Sequence, residues 1–189
     1  MRIGSVLLAL TAVVPVAAAA PHALTLSPER SKVTFVLEAT GHDVEGTLAL
    51  KSGAVRFDPA TGEASGELVV DLVTAQTGNK SRDKTMHREV LEDGSWPLAT
   101  FRATRFRGTV PAEGDGEVVL DGVLSLHGAD HKMTLTGKVH VAKGALAVDA
   151  DFPIPFVEWG MHDPSWFVLK VAKVVKVHVH AEGDLRVAE

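Results

Sequence analysis

The chain contains no cysteine among its 189 residues. Disulfide bonds, thiolate metal sites and a cysteine nucleophile are therefore excluded, although the export predicted below would permit disulfides. The formal net charge is −5, and the sequence contains no block of basic residues. A mildly acidic chain without such a block is a poor candidate for nucleic-acid binding. Its stability must come from a hydrophobic core, for which one domain of this length is large enough.

The sequence also lacks the short motifs that identify common catalytic sites. It contains no G-x-S-x-G nucleophile elbow, no H-E-x-x-H zinc motif, no phosphate-binding loop and no dinucleotide fingerprint. We therefore predict that the protein is not an enzyme, with no catalytic residues and no cofactor.

No apolar run reaches the roughly 20 uninterrupted residues that a membrane-spanning helix needs. The longest such stretch lies in residues 1–20, which carry the basic Arg2, are interrupted by Pro15 and end in Ala18-Ala19-Ala20. This order is typical of a cleaved secretory signal. We expect a periplasmic or secreted domain of residues 21–189, without stable membrane insertion.

Helical periodicity is scarce, and apolar residues instead alternate with polar ones along most of residues 21–189. The alternation predicts eight or nine β-strands, as in an all-β barrel or sandwich. The interior of a barrel of about eight strands holds either packed side chains or one small ligand. A filled barrel and a hollow barrel have the same alternation of apolar and polar residues. The inward positions that we expect to form a cavity wall are Val33, Phe35, Leu37, Leu68, Val70, Leu72, Phe101, Leu124, Met133 and Leu135.

The one segment with a helical pattern is SRDKTMHREVLE, residues 81–92. Ser81 or Asn79 can cap its start, and Met86, Val90 and Leu91 form one apolar stripe. We predict a short helix across one mouth of the barrel, with Met86 and Leu91 facing inward.

The Arg82-Asp83 pair in this segment has two interpretations. Arg82 could meet the anionic head of a ligand, or the pair could hold the start of the helix to a nearby strand. We favour the structural interpretation, because paired arginines are usually structural.

Histidine side chains offer an alternative to ligand binding, namely a metal site or acid/base catalysis. His178 and His180 lie two residues apart on one strand face, and His140 has the same outward phase on its own strand, so the three could bind Zn²⁺ or Cu²⁺. His162-Asp163 could form an acid/base pair, although no nucleophile accompanies it. We predict no metal site, and keep a histidine- or metal-dependent enzyme as an alternative.

Several of these residues together form a recognisable pattern, which resembles the YceI-like, polyisoprenoid-binding family. The central part of the pattern is Thr77-Gly78, Ser81-Arg82-Asp83, Met86, Leu91, Trp96-Pro97 and Phe101, in this order. Two further segments match: Ser31, Val33 and Phe35 followed by residues 44–47, and residues 120–128 with Lys132. The resemblance covers roughly residues 24–150.

The resemblance implies an eight-stranded antiparallel, lipocalin-like barrel that is exported and often dimeric. Such a protein would hold an isoprenoid, an isoprenoid quinone or another long-chain lipid for carriage or storage, without catalysis. The residues that we expect at the mouth are Arg82, Met86, His87, Leu91, Trp96, Trp159 and Trp166, with Arg82 and His87 as candidates for the polar head. Residues 152–171 depart from the common family pattern and could reshape or narrow the entrance. A stress-related interaction protein with a filled core remains a further alternative.

Overall fold

The alternating segments form long antiparallel strands in the computed structural model, which describes residues 20–166 and 170–188. Residues 1–19, which carry most of the predicted signal, lie outside the described residues. The described residues form nine strands: β1 (His22–Leu26), β2 (Lys32–Leu37), β3 (Val44–Phe57), β4 (Ala64–Gln76), β5 (Leu98–Gly108), β6 (Gly114–Leu126), β7 (Ala129–Ala142), β8 (Ala145–Ile154) and β9 (Val175–Val187). A short 3₁₀ helix spans Pro28–Arg30.

Strands β2 to β9 form a closed ring of eight, because β4 pairs with β3 and β9 pairs with β2. Strand β1 does not add a ninth position. It pairs with the end of β3 and the end of β9, whereas β2 pairs with the first parts of the same two strands. β1 and β2 therefore share one position in the wall, on either side of the 3₁₀ helix. The predicted eight-stranded antiparallel barrel is confirmed.

Glycine allows the wall to curve where a bulky side chain crosses a neighbouring strand. A Cβ on Gly122 would lie 2.4 Å from Cζ of Phe101, and one on Gly46 would lie 2.2 Å from Cζ of Phe35. Both distances are far below van der Waals contact, so each phenylalanine ring occupies the space of the missing side chain.

Four connections lie at one end of the barrel, which we call the mouth end. They are residues 38–43 after β2, residues 77–97 after β4, the β6–β7 turn at residues 127–128 and the described part of the connection after β8, residues 155–166 and 170–174. The connections at residues 58–63, 109–113 and 143–144 lie at the opposite end.

The predicted helix lies in the connection at residues 77–97, as α1 (Lys80–Thr85) and a π-helical continuation (Met86–Leu91). Asn79 is the cap, since its side chain accepts hydrogen bonds of 3.1 Å from the amides of Ser81 and Arg82. We call residues Lys80–Leu91 the lid. No helix within the described ranges is long and apolar enough to cross a bilayer.

Candidate functional site: an apolar cavity under a helical lid

The barrel encloses a cavity of about 690 Å³. This volume lies within the 300–1,000 Å³ that is usual for small-molecule sites. Its wall is apolar along the length of the barrel, because the inward positions of the strands carry valine, leucine and phenylalanine. The polar side chains of the lining are confined to the mouth end, at Thr77, Asn79, Ser81, Arg82 and Thr85. The cavity is therefore amphipathic, with one polar end.

Nine predicted wall residues line this cavity: Val33, Phe35, Leu37, Leu68, Val70, Leu72, Phe101, Leu124 and Leu135. Met133 does not line it. The connection after β8 folds over the start of β7, where Trp159 stacks on His131 with ring centroids 3.8 Å apart. Met133 packs there against the buried cluster that includes Phe156 and Met161.

Of the predicted mouth residues, Arg82, Met86 and Leu91 line the cavity, and Trp159 does not. Its partner His131 has the same inward phase on β7 as Met133, and His131 Nε2 is buried without a hydrogen-bond partner. Trp159 is therefore a packing residue of the connection after β8.

His87, Trp96 and Trp166 also lie outside the lining, each for a different reason. Trp96 packs its ring over Gly128 of the β6–β7 turn, where a Cβ would lie 2.7 Å from two ring atoms. Trp166 is 76% exposed. The His87 ring points to the backbone of β4 and to Asp93, as described below.

The sequence patterns missed several residues of the lining. The polar lining residues Thr77, Asn79, Ser81 and Thr85 could have been predicted. They lie in or just before the lid helix, whose inward apolar stripe was predicted. Phe156, Met161, Pro164 and Val171 come from the connection after β8. Apolar and polar residues do not alternate regularly in that connection, so its sequence did not indicate which of its residues line the cavity.

The Arg82-Asp83 pair ties the lid to the end of β4. Oδ1 of Asp83 accepts hydrogen bonds from the amide and the hydroxyl of Thr77, at 2.9 and 2.5 Å. Arg82 donates from Nε to the Thr77 hydroxyl, at 2.8 Å, and from Nη2 to the Thr77 carbonyl, at 3.1 Å. These contacts agree with the structural interpretation, although the Arg82 side chain also borders the cavity.

The outward histidines each pair with a carboxylate. Nδ1 of His178, His180 and His140 lies 2.9, 2.7 and 2.7 Å from a carboxylate oxygen of Asp151, Asp149 and Asp115 respectively. The hydrogen bond with Asp149 is the main cause of the raised pKa of His180. Among the residues that the structure describes, no group of three His, Asp or Glu side chains is placed to hold a metal ion.

In the possible acid/base pair His162-Asp163, the carboxylate has other partners. Asp163 accepts a 3.0 Å hydrogen bond from the Ser165 amide and lies 3.9 Å from Lys173. Hydrogen bonding to Ser165 is the main cause of the lowered pKa of Asp163, and the charge of Lys173 adds to it. A carboxyl group held ionised in this way is a poor general acid.

Comparison with known proteins places this fold in a family. The family model for the YceI-like domain matches residues 24–183. No curated protein matches the chain. Because the family model spans well over half of the sequence, the chain belongs to the YceI-like domain family, as the sequence motifs predicted.

Solved structures show the same fold at low identity. BcnA of Burkholderia cenocepacia is 21% identical, with a TM-score of 0.67 over 83% of this chain and 98% of its own. A polyisoprenoid binding domain from Saccharophagus degradans, implicated in plant cell wall breakdown, is 16% identical, with a TM-score of 0.67 over 86% of this chain and 98% of its own. The Campylobacter jejuni YCEI protein is 18% identical, with a TM-score of 0.54 over 75% of this chain and 85% of its own. The barrel of this chain is therefore the barrel of the YceI-like family.

Proposed function

We propose that this protein is an exported binding protein that holds one long apolar chain in its barrel for carriage or storage. The ligand would be a polyisoprenoid, an isoprenoid quinone or a similar amphiphile. The observation that carries the proposal is the 690 Å³ apolar cavity with polar side chains at one end. A molecule with an apolar tail and one polar group has the matching distribution of polarity.

The chemistry of the wall favours a ligand that is recognised by burial rather than by polar contacts. Burial of apolar surface contributes roughly 0.8 kcal/mol per CH₂ group, before the costs of ordering the ligand are subtracted. The tail would lie against the strands, and the polar group would lie near Arg82, whose charged side chain belongs to the polar end of the lining. The similarity to a structure described as a polyisoprenoid binding domain supports an apolar ligand of this class.

The proposal is tested on protein purified from its own host, by native mass spectrometry followed by organic extraction. We expect a bound apolar molecule, and we expect stripped protein to retain an added prenol or quinone. Protein that carries no such molecule and retains neither compound would refute the carrier function.

Two valines of β4 offer a matched pair of variants. Val70 lines the cavity, whereas Val73 lies on the outer face and is 56% exposed. Val70→Trp should fill part of the cavity and weaken prenol retention by at least about tenfold, since roughly 1.4 kcal/mol of lost burial has that effect. Val73→Trp should retain the ligand like the wild type. Equal retention by both variants would place the ligand outside the barrel.

Export and assembly need separate measurements. Mass spectrometry of intact protein from a periplasmic or secreted fraction should give the mass of residues 21–189. A folded product that retains Met1 would contradict the predicted cleavage of a signal peptide. Sedimentation of the mature protein tests the homodimer that the family resemblance implies.

A further inference from the structure

His87 of the lid is held by two hydrogen-bond acceptors at the same time. Its Nδ1 lies 2.5 Å from Oδ2 of Asp93, and its Nε2 lies 2.8 Å from the carbonyl oxygen of Ala75. A neutral imidazole carries a proton on one ring nitrogen only, so it donates to one of these acceptors. Both contacts are hydrogen bonds only when His87 is a doubly protonated imidazolium.

The two acceptors belong to different parts of the mouth end. Ala75 is in β4 and lines the cavity, whereas Asp93 follows the lid in the turn after Glu92. The His87 and Asp93 side chains are 26% and 17% exposed, so water competes only partly for these contacts. No residue of the lid is fully buried, so packing alone holds the lid weakly. His87 therefore joins the middle of the lid to the barrel wall and to the lid's own exit turn.

Other charged groups also lie around the lid. Nε2 of His127, in the β6–β7 turn, lies 3.4 Å from Oε2 of Glu92, without the alignment of a hydrogen bond. The pKa of Glu89 is lowered, mainly by its hydrogen bond with Arg88 and additionally by the charge of His162 from the connection after β8.

From this geometry we infer that the lid is a pH-sensitive closure whose latch is the protonated His87. When His87 carries a proton on both ring nitrogens, both hydrogen bonds are intact and the lid is fastened. When it carries only one proton, the other ring nitrogen presents a lone pair to an acceptor. The lid then opens more often, and bound ligand exchanges faster. The link to ligand exchange rests on the proposed function, whereas the latch itself does not.

Dissociation of a dansyl-labelled prenol from the mature protein, measured by stopped flow between pH 5 and 8, tests the inference. Wild-type protein should release the probe about tenfold faster at pH 8 than at pH 5, the factor expected for loss of one charge-assisted hydrogen bond. His87→Gln should release it at the fast rate at every pH. His140→Gln removes a histidine–aspartate pair from the outer face of β7 and should keep the wild-type profile. A flat wild-type profile, or a His87→Gln profile like that of the wild type, would overturn the latch.

Hydrogen exchange of the ligand-free protein tests the latch without any probe. The protection factors of the amides in Met86–Leu91, corrected for intrinsic exchange rates, should fall about tenfold between pH 5 and 8 in the wild type. They should stay low throughout in His87→Gln, while the strand amides of β6 and β7 stay protected in both proteins. If the lid behaves in this way but no prenol binds, the carrier function fails and the latch stands. Lid protection that does not depend on pH in the wild type would refute the latch.

Discussion

Thr77 is the residue at which the wall of the barrel meets the lid. Its amide and hydroxyl both donate to Asp83, and Arg82 donates to its hydroxyl and its carbonyl. Asp83→Ala would leave the partly buried Thr77 amide without its acceptor. We expect this to lower the free energy of unfolding, measured in urea, by about 1–3 kcal/mol.

Lys84→Ala is the matched control, because Lys84 is an exposed neighbour on the same helix. Surface substitutions of this kind usually change the free energy of unfolding by no more than about 0.5 kcal/mol. If Asp83→Ala unfolds at the same urea concentration as Lys84→Ala, the contacts with Thr77 do not stabilise the protein.

Among the elements, the strands and the lid helix were predictable, whereas the connection after β8 was not. Inward and outward positions alternate strictly along a strand, so the spacing of Val33, Phe35 and Leu37 fixes their face. The lid was predicted as a helix from its cap and apolar stripe. Its π-helical half was not predicted, because a change from i→i+4 to i→i+5 hydrogen bonds leaves no sequence signature. Trp159 lies outside the cavity lining, which the sequence could not show because an aromatic residue in a connection has no periodic neighbours that assign it a side.

His180 on β9 lies beside Asp149 on the paired strand β8, and the charge of His180 is coupled to folding. The hydrogen bond with Asp149 is the main cause of the raised pKa of His180. A raised pKa in the folded state means that the contribution to stability is present at low pH and is lost as the pH rises through the folded pKa. The stability difference between wild type and Asp149→Asn should therefore be largest below about pH 6 and should decline at higher pH.

The effect is small in energy, because the His180 side chain is 38% exposed and solvent screens the pair. NMR titration of the His180 ring is the more sensitive measurement. The ring should titrate at a higher pH in the wild type than in Asp149→Asn. Identical titration curves in the two proteins would show that Asp149 does not hold the proton on His180.

For the whole molecule, closure of the barrel was predictable but its cavity was not. The alternation predicts eight or nine strands in a barrel or a sandwich, and the resemblance to the YceI-like family implies the closed, eight-stranded barrel. The volume left inside depends on how far each side chain reaches and on where the connections fold, which the alternation of residue types does not encode. The connection after β8 illustrates this point, since it supplies Phe156 and Met161 to the lining but covers Met133. The polar end arises in the same way, from a connection rather than from a strand.

An apolar cavity couples ligand binding to the stability of the whole barrel. A ligand that binds only the folded state adds about 2.7 kcal/mol to the free energy of unfolding when its free concentration is one hundred times Kd. For a domain of this size, that gain should raise the melting temperature by about 5–10 °C. Differential scanning calorimetry of stripped and prenol-loaded protein measures the shift. In Val70→Trp, where a side chain fills part of the cavity, prenol should produce little or no shift, whereas Val73→Trp should respond like the wild type. An equal shift in both variants would mean that the ligand stabilises a surface outside the barrel, since only the cavity distinguishes the two positions.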